Sequence, residues 1–190
     1  MRQKGKIMFY EMNIAGLTRK LPLCALNEEL YIAGFVMFSD VELTEACAKE
    51  LLAKAPEFDV IITAESKGIP LAYEVARQSE KTYVVLRKEP KLYMVDVIRT
   101  TVDSITTAHV QTLCIGSIEA ELIRDKKVLV VDDVISTGGS LSSMEKILNK
   151  VGCDIVAKMA VLAEGDAIER DDIIYLEELP LFNADGTPKK

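Results

Sequence analysis

The sequence predicts an α/β fold: a mostly parallel sheet flanked by helices, with a flexible antiparallel loop and a small hood built from the two termini. Three observations carry that expectation. Short apolar runs at residues 60–63, 82–86 and 128–131 have the length and composition of buried strands. Segments with helical spacing of apolar side chains separate them, and such alternation implies right-handed crossovers between parallel strands. Each run then ends at a polar cluster, and ligands in open α/β sheets sit beyond the carboxyl ends of the strands.

Taken in order, residues 8–25 read as short strands or an irregular cap. Ser39 and Glu42 have capping-box spacing ahead of Leu43, Ala46, Cys47 and Leu51, the buried stripe of a helix ending near Pro56. A strand over 60–63 leads to a helix over 68–78 that buries Ile69, Ala72, Tyr73 and Ala76, and a strand over 82–86 follows. From 93 to 115, β-branched residues with weak alternation predict a long hairpin or flexible antiparallel excursion. The strand over 128–131 stops at Asp132 and leads to a helix with Leu141, Met144, Leu148 and Val151 on one face. Residues 155–162 and 173–176 supply further strands. No repeat or linker divides the chain, so one domain over 1–190 is expected, with a hood at about 1–38, a core at about 39–165, a C-terminal hood at 166–184 and a disordered tip at 185–190.

Composition narrows the function. Hydrophobic residues make up 49% and charged residues 28%, near the averages of globular domains, and no apolar run is long enough to span a bilayer. The net charge of -7 argues against nucleic-acid or anionic-membrane partners. The N-terminus turns polar before a secretory h-region forms. Cys24, Cys47, Cys114 and Cys153 are widely spaced without a C-x-x-C pair, which reads as reduced thiols in a cytoplasmic protein. With His109 the one histidine, a His-based metal centre is not expected. Yet Arg87, Lys88 and Lys91 cluster directly after an apolar strand, which suits a small polyanion on an otherwise acidic protein.

The most informative stretch is 128–140, VLVVDDVISTGGS. Ser136, Thr137, Gly138, Gly139 and Ser140 offer hydroxyls, unhindered backbone N–H groups and two residues free to take positive φ, so the chain can wrap a phosphate at a helix N-terminus. Asp132 and Asp133 repel phosphate but can accept hydrogen bonds from sugar hydroxyls or face a metal ion. A Walker A loop and a dinucleotide fingerprint both need other spacings.

This segment resembles the phosphoribosyl-pyrophosphate loop of the type I phosphoribosyltransferases: a hydrophobic strand, two acids, two variable residues, then a small-Thr-Gly-x-Ser/Thr turn. The resemblance runs over roughly residues 30 to 182. It implies the fold of that family, Mg2+ held by the substrate rather than directly by the protein, and a homodimer. It implies that Ser136, Thr137, Gly138, Gly139 and Ser140 bind the 5′-phosphate of phosphoribosyl pyrophosphate while Asp132 and Asp133 act catalytically by holding the ribose. Glu65-Ser66-Lys67-Gly68 is similar to the family's pyrophosphate loop, with Lys67 on the leaving group. Arg87, Lys88 and Lys91 resemble the Arg-Lys-x-x-Lys run that also meets pyrophosphate. Residues 93–109 would be the loop that closes over the reactants. No base-binding residue is identified.

For the base, 6-oxopurine enzymes of the hypoxanthine-guanine type place an Asp where Ser136 stands, which disfavours them here. The tail 162–182 resembles adenine phosphoribosyltransferases, and 101–115 resembles xanthine enzymes and purine-repressor relatives. Adenine enzymes often carry a loop glutamate as proton donor, and Thr107 falls near that place, so the proton source stays open; His109 is unassigned. The expectation is a purine phosphoribosyltransferase, adenine-type first, acting in purine salvage, with xanthine or another purine as the alternative. A non-enzymatic regulator that binds phosphoribosyl pyrophosphate is a further alternative, disfavoured by the short stretch before the first core helix and the acidic charge.

Overall fold

A computed structural model describes residues 7–102 and 111–189. Five parallel strands form the central sheet in the order β10-β9-β8-β4-β5. These are β4 (Val60–Ala64), β5 (Thr82–Leu86), β8 (Lys127–Ile135), β9 (Asp154–Glu164) and β10 (Ile174–Leu179). Side chains alternate between its faces. Ile61, Leu129 and Met159 join one core with helices α1 (Val41–Lys54) and α2 (Ile69–Ser79). Val60, Ile62, Val128 and Val130 join a second core with α3 (Ser117–Ile123) and α4 (Gly139–Val151). A sheet buried on both faces needs near-continuous apolar strands, and β4 is buried at every position.

An antiparallel sheet of β1 (Phe9–Ile14), β2 (Leu17–Ala25) and β3 (Tyr31–Ala33) lies N-terminal to this core and adds Met12, Ile14, Leu21 and Ala33 to the α1/α2 side. Phe182 closes the seam. It is fully buried, its backbone exchanges two hydrogen bonds of 2.9 Å with Tyr31, and its ring lies 4.9 Å from that of Tyr10. The antiparallel pair β6 (Ile98–Val102) and β7 (Gln111–Ile115) forms the expected excursion, tied back to the end of β5 through paired backbone bonds between Arg87 and Cys114.

The structure corrects several expectations. Asp40, not Ser39, caps α1: its carboxylate accepts from Leu43 N–H at 3.1 Å and from Arg19 of β2, while Ser39 sits at φ 68° outside the helix. In α2 the buried stripe runs through Leu71, Ala72, Val75 and Ala76, leaving Tyr73 exposed. Strand β8 does not stop at Asp132 but pairs with β9 as far as Ile135. The strand read at 173–176 is β10, which lies within the segment 166–184 and forms an edge of the central sheet. The tip expected to be disordered is folded through 185–189, where Thr187 bonds Asp185 and Asn183 and Lys189 N–H bonds Leu181. Helix α3 was not anticipated. Ser104, Thr106, Thr107 and His109 lie outside the described residues.

Candidate active site

Three strands deliver polar loops to one end of the sheet. After β4 comes the loop 65–68, after β5 the basic run beginning at Arg87, and from β8 the acidic pair and the turn into α4. Between them lies a cleft of about 580 Å³ lined by Ser66, Lys67, Lys88, Thr112, Asp132, Asp133 and Ser140, among others. Its position at the carboxyl ends of adjacent parallel strands is where α/β sheets bind ligands.

Adjacent carboxylates on one strand point to opposite faces, so their environments differ. Asp133 is buried, its side chain 5% exposed, and its Oδ2 accepts from Lys67 Nζ at 2.8 Å. Lys67, at 47% exposure, sets its ammonium against the buried acid and neutralises it. Asp132 accepts from the Asp133 backbone N–H at 2.9 Å and finds no cation of its own among the described residues. Burial first, and then the neighbouring Asp133 charge, pushes its carboxyl up to about 8. Perturbed carboxyls of this kind concentrate at functional sites.

The loop 65–68 fits under this pair because Gly68 carries no side chain. A Cβ there would overlap Thr63 Oγ1 and stand 2.9 Å from Asp132 Oδ1, so the residue must be glycine for the loop to approach β8. The Glu65–Ser66 peptide is cis. Glu65 ties the loop to the next strand end: its carboxylate accepts from Lys88 N–H at 3.1 Å and lies 3.8 Å from the Arg87 guanidinium. That anchoring role was not read from the sequence, because an acid inside a basic anion site carries no pattern of its own.

The turn 136–140 leads directly into α4. Gly138 takes φ +76°, the left-handed region that the two glycines were expected to allow, and no side chain caps the helix. The N–H groups of the first turn are thus left to an anion. Ser140 lines the cleft, while Ser136, Thr137, Gly138 and Gly139 form the turn beside it.

Of the predicted site residues, then, Lys67, Lys88, Asp132, Asp133 and Ser140 share one cleft. Arg87 and Lys91 do not. Arg87 lines an adjacent hollow of about 270 Å³ with Tyr93, Met94 and Glu119, its guanidinium 3.8 Å from Glu65 at the cleft, and Lys91 Nζ pairs with Glu89 at 2.7 Å. Two unpredicted residues stand close by. Glu164 ends β9 half-buried, its carboxyl raised by burial and held back by the Lys67 charge. Arg170 packs against Gly138.

An acidic strand end that feeds an uncapped glycine turn at a helix N-terminus, with a lysine loop opposite, is the arrangement of an α/β protein suited to a phosphate-bearing ligand. Comparison with known proteins gives the family. The family model described as a phosphoribosyl transferase domain matches residues 41–183, and the chain belongs to that family: it is a phosphoribosyltransferase with the type I fold. It is 31% identical over 133 residues to the hypoxanthine/guanine phosphoribosyltransferase of Methanococcus voltae, covering 70% of this chain and 67% of the relative. It is 32% identical over 126 residues to the adenine phosphoribosyltransferase of Rhodococcus jostii, covering 66% of this chain and 69% of the relative. Among solved structures, adenine phosphoribosyltransferase from Saccharomyces cerevisiae, complexed with an imino-altritol bisphosphate and adenine, superposes with a TM-score of 0.65 over 89% of this chain and 92% of that one, at 17% identity.

Proposed function

We propose that this protein is a purine phosphoribosyltransferase that joins adenine to phosphoribosyl pyrophosphate, giving AMP and pyrophosphate. One observation carries the proposal: the acidic pair of β8, the Gly138 turn and the Lys67 loop converge on a single cleft. In the reaction a base nitrogen bonds to the anomeric carbon as the carbon–oxygen bond to diphosphate breaks, and the electron pair leaves with the diphosphate. Positioning and charge stabilisation supply most of the rate enhancement.

The chain's own groups divide that work. The turn 136–140 holds the 5′-phosphate through backbone N–H groups and hydroxyls. Asp132 and Asp133 accept from the ribose hydroxyls. As the sugar takes over Asp133, Lys67 is released toward the diphosphate with Lys88 beside it, so the ion pair of the free enzyme is exchanged for one with the leaving group. For Mg2+, the cleft lining supplies three carboxylates, of which Asp133 is engaged by Lys67 and Glu65 by the Lys88 N–H. That donor set fits a magnesium ion bound mainly through substrate oxygens, as the small cation prefers. When bound, Mg2+ would neutralise charge on the diphosphate oxygens.

The Rhodococcus relative supports adenine, and Ser136 in the phosphate turn agrees. A specific observation favours a second reading, since the Methanococcus relative is named for hypoxanthine and guanine. Xanthine is a third candidate base. Incubating the protein with labelled phosphoribosyl pyrophosphate, Mg2+ and each of adenine, guanine, hypoxanthine, xanthine and uracil decides among them. Product with adenine alone is expected, product with 6-oxopurines alone selects the second reading, and binding without turnover on any base leaves a regulator. Omitting Mg2+ with a chelator should abolish product formation.

The resemblance also implies a homodimer. Exposed Val41 and Tyr73 line an apolar hollow of about 380 Å³, a surface suited to pairing. A cytoplasmic location accords with the four free cysteines.

A further inference from the structure

Arg170 lies on no motif, in an acidic stretch between β9 and β10, yet its guanidinium reaches the phosphate turn. A Cβ placed on Gly138 would stand 2.7 Å from Arg170 Nη1. One edge of the guanidinium is locked: Nε donates to Asp172 Oδ1 at 2.8 Å and Nη2 to Asp172 Oδ2 at 2.7 Å. Asp172 in turn accepts from Lys158 of β9, which bonds Glu145 of α4 at 2.8 Å. The chain Glu145–Lys158–Asp172–Arg170 thus begins on the helix whose N-terminus is the phosphate turn and returns to that turn. Such a loop fixes the guanidinium relative to the helix rather than leaving it to swing.

What remains free is informative. Nη1 makes no hydrogen bond among the described residues, and its two N–H groups lie on the edge facing Gly138. A cation against a helix N-terminus is unfavourable on its own, because the first-turn N–H groups already present partial positive charge. An anion between the two reverses the sign of both interactions.

We propose that Arg170 binds the 5′-phosphate of the sugar substrate through Nη1, completing from the β9–β10 side the turn 136–140, and that Asp172 is its positioning residue. This deepens the phosphoribosyl reading and rests on it. The turn alone offers backbone dipoles and hydroxyls, and Arg170 adds a full positive charge placed directly against it. The inference also gives Gly138 a second reason to lack a side chain, since a methyl group would displace the guanidinium as well as strain the positive φ.

The test is calorimetric titration of the full-length protein with ribose 5-phosphate and, separately, with pyrophosphate and Mg2+. Arg170→Met keeps the apolar stem and removes the charge. It should weaken ribose 5-phosphate by about 10- to 100-fold, the range of one charge-assisted hydrogen bond, with pyrophosphate affinity changed less than about twofold. Arg170→Lys should recover part of the loss, and Asp172→Asn should give an intermediate loss with the charge still present. In turnover the Met variant should raise KM for phosphoribosyl pyrophosphate more than it lowers kcat. Unchanged ribose 5-phosphate affinity in folded Arg170→Met overturns the proposal, and so does an equal loss for both ligands. If Arg170→Met does not fold, Arg170→Gln replaces it with the same criteria. A wild-type protein that binds pyrophosphate and phosphoribosyl pyrophosphate but not ribose 5-phosphate also overturns it; failure to bind any of the three instead removes the phosphoribosyl reading beneath it.

Discussion

Asp132 and Asp133 are chemically identical neighbours that the fold treats differently: one is paired with Lys67, the other held with its charge opposed. The raised carboxyl has a consequence for stability. The unfolded chain gives up this proton near the ordinary 3.8, whereas the folded one keeps it until about 8. Stability is therefore fully present below the lower value and is lost as pH rises through the upper one. Asp132→Asn removes the titration, so its melting temperature should fall less than that of the wild type between pH 5 and pH 9, and exceed it at pH 9 by roughly 2–4 °C for each kcal/mol recovered. Turnover should drop at least about 100-fold in the same variant, the usual exchange of stability for function. A variant with a wild-type pH–melting curve would place the titrating group elsewhere. Lys67→Ala leaves Asp133 buried without its cation. The lysine is half in water, so the expected cost is only about 1–3 kcal/mol by chemical denaturation. Pyrophosphate inhibition should weaken more than base binding, and equal weakening of both would remove Lys67 from the leaving group. Each of these residues was legible as part of a motif. Their pairing was not, because Lys67 and Asp133 are 66 positions apart and meet only when β4 and β8 lie side by side.

Elements show the same division between local pattern and tertiary decision. Ser39 and Asp40 are both good capping types, so sequence spacing alone could not choose between them. Arg19 chooses, because its guanidinium spans Asp40 and Glu42 at 2.6 and 2.7 Å and draws Asp40 into the capping position. Asp40→Ala should thus cost about 1–2 kcal/mol in urea denaturation, more than Ser39→Ala, and the reverse order would restore the serine cap. Strand β8 was read as ending at its first acid because polar residues ordinarily mark a strand's exit from the core. Here the ladder with β9 continues while the acids turn into the cleft, so chemistry and strand length part company. Helix α3 went unread because it has seven residues, no side-chain cap, and two apolar side chains, Ile118 and Leu122, left in solvent.

At the scale of the whole molecule, the alternating pattern gave the parallel sheet correctly. It read a strand at 173–176 but assigned that stretch to the C-terminal hood, and only the fold places it as β10 at the edge of the sheet. The basic run after β5 was likewise legible as a cluster, but only the fold separates Lys88, which reaches the cleft, from Arg87 and Lys91, which do not. Phe182 is where the two ends of the molecule meet, and Phe182→Ala should cost about 3–5 kcal/mol, the loss typical of a large cavity in a packed core. A loss under 1 kcal/mol would mean that the seam contributes little.

That seam sets an order of events during synthesis. The strands around Tyr31 leave the ribosome long before Phe182 exists to join them, so Tyr10 and Tyr31 must wait without that partner while some 150 further residues are made. A nascent chain stalled just short of Phe182 should accordingly be cut by protease within the first three strands, and one stalled well beyond it should resist.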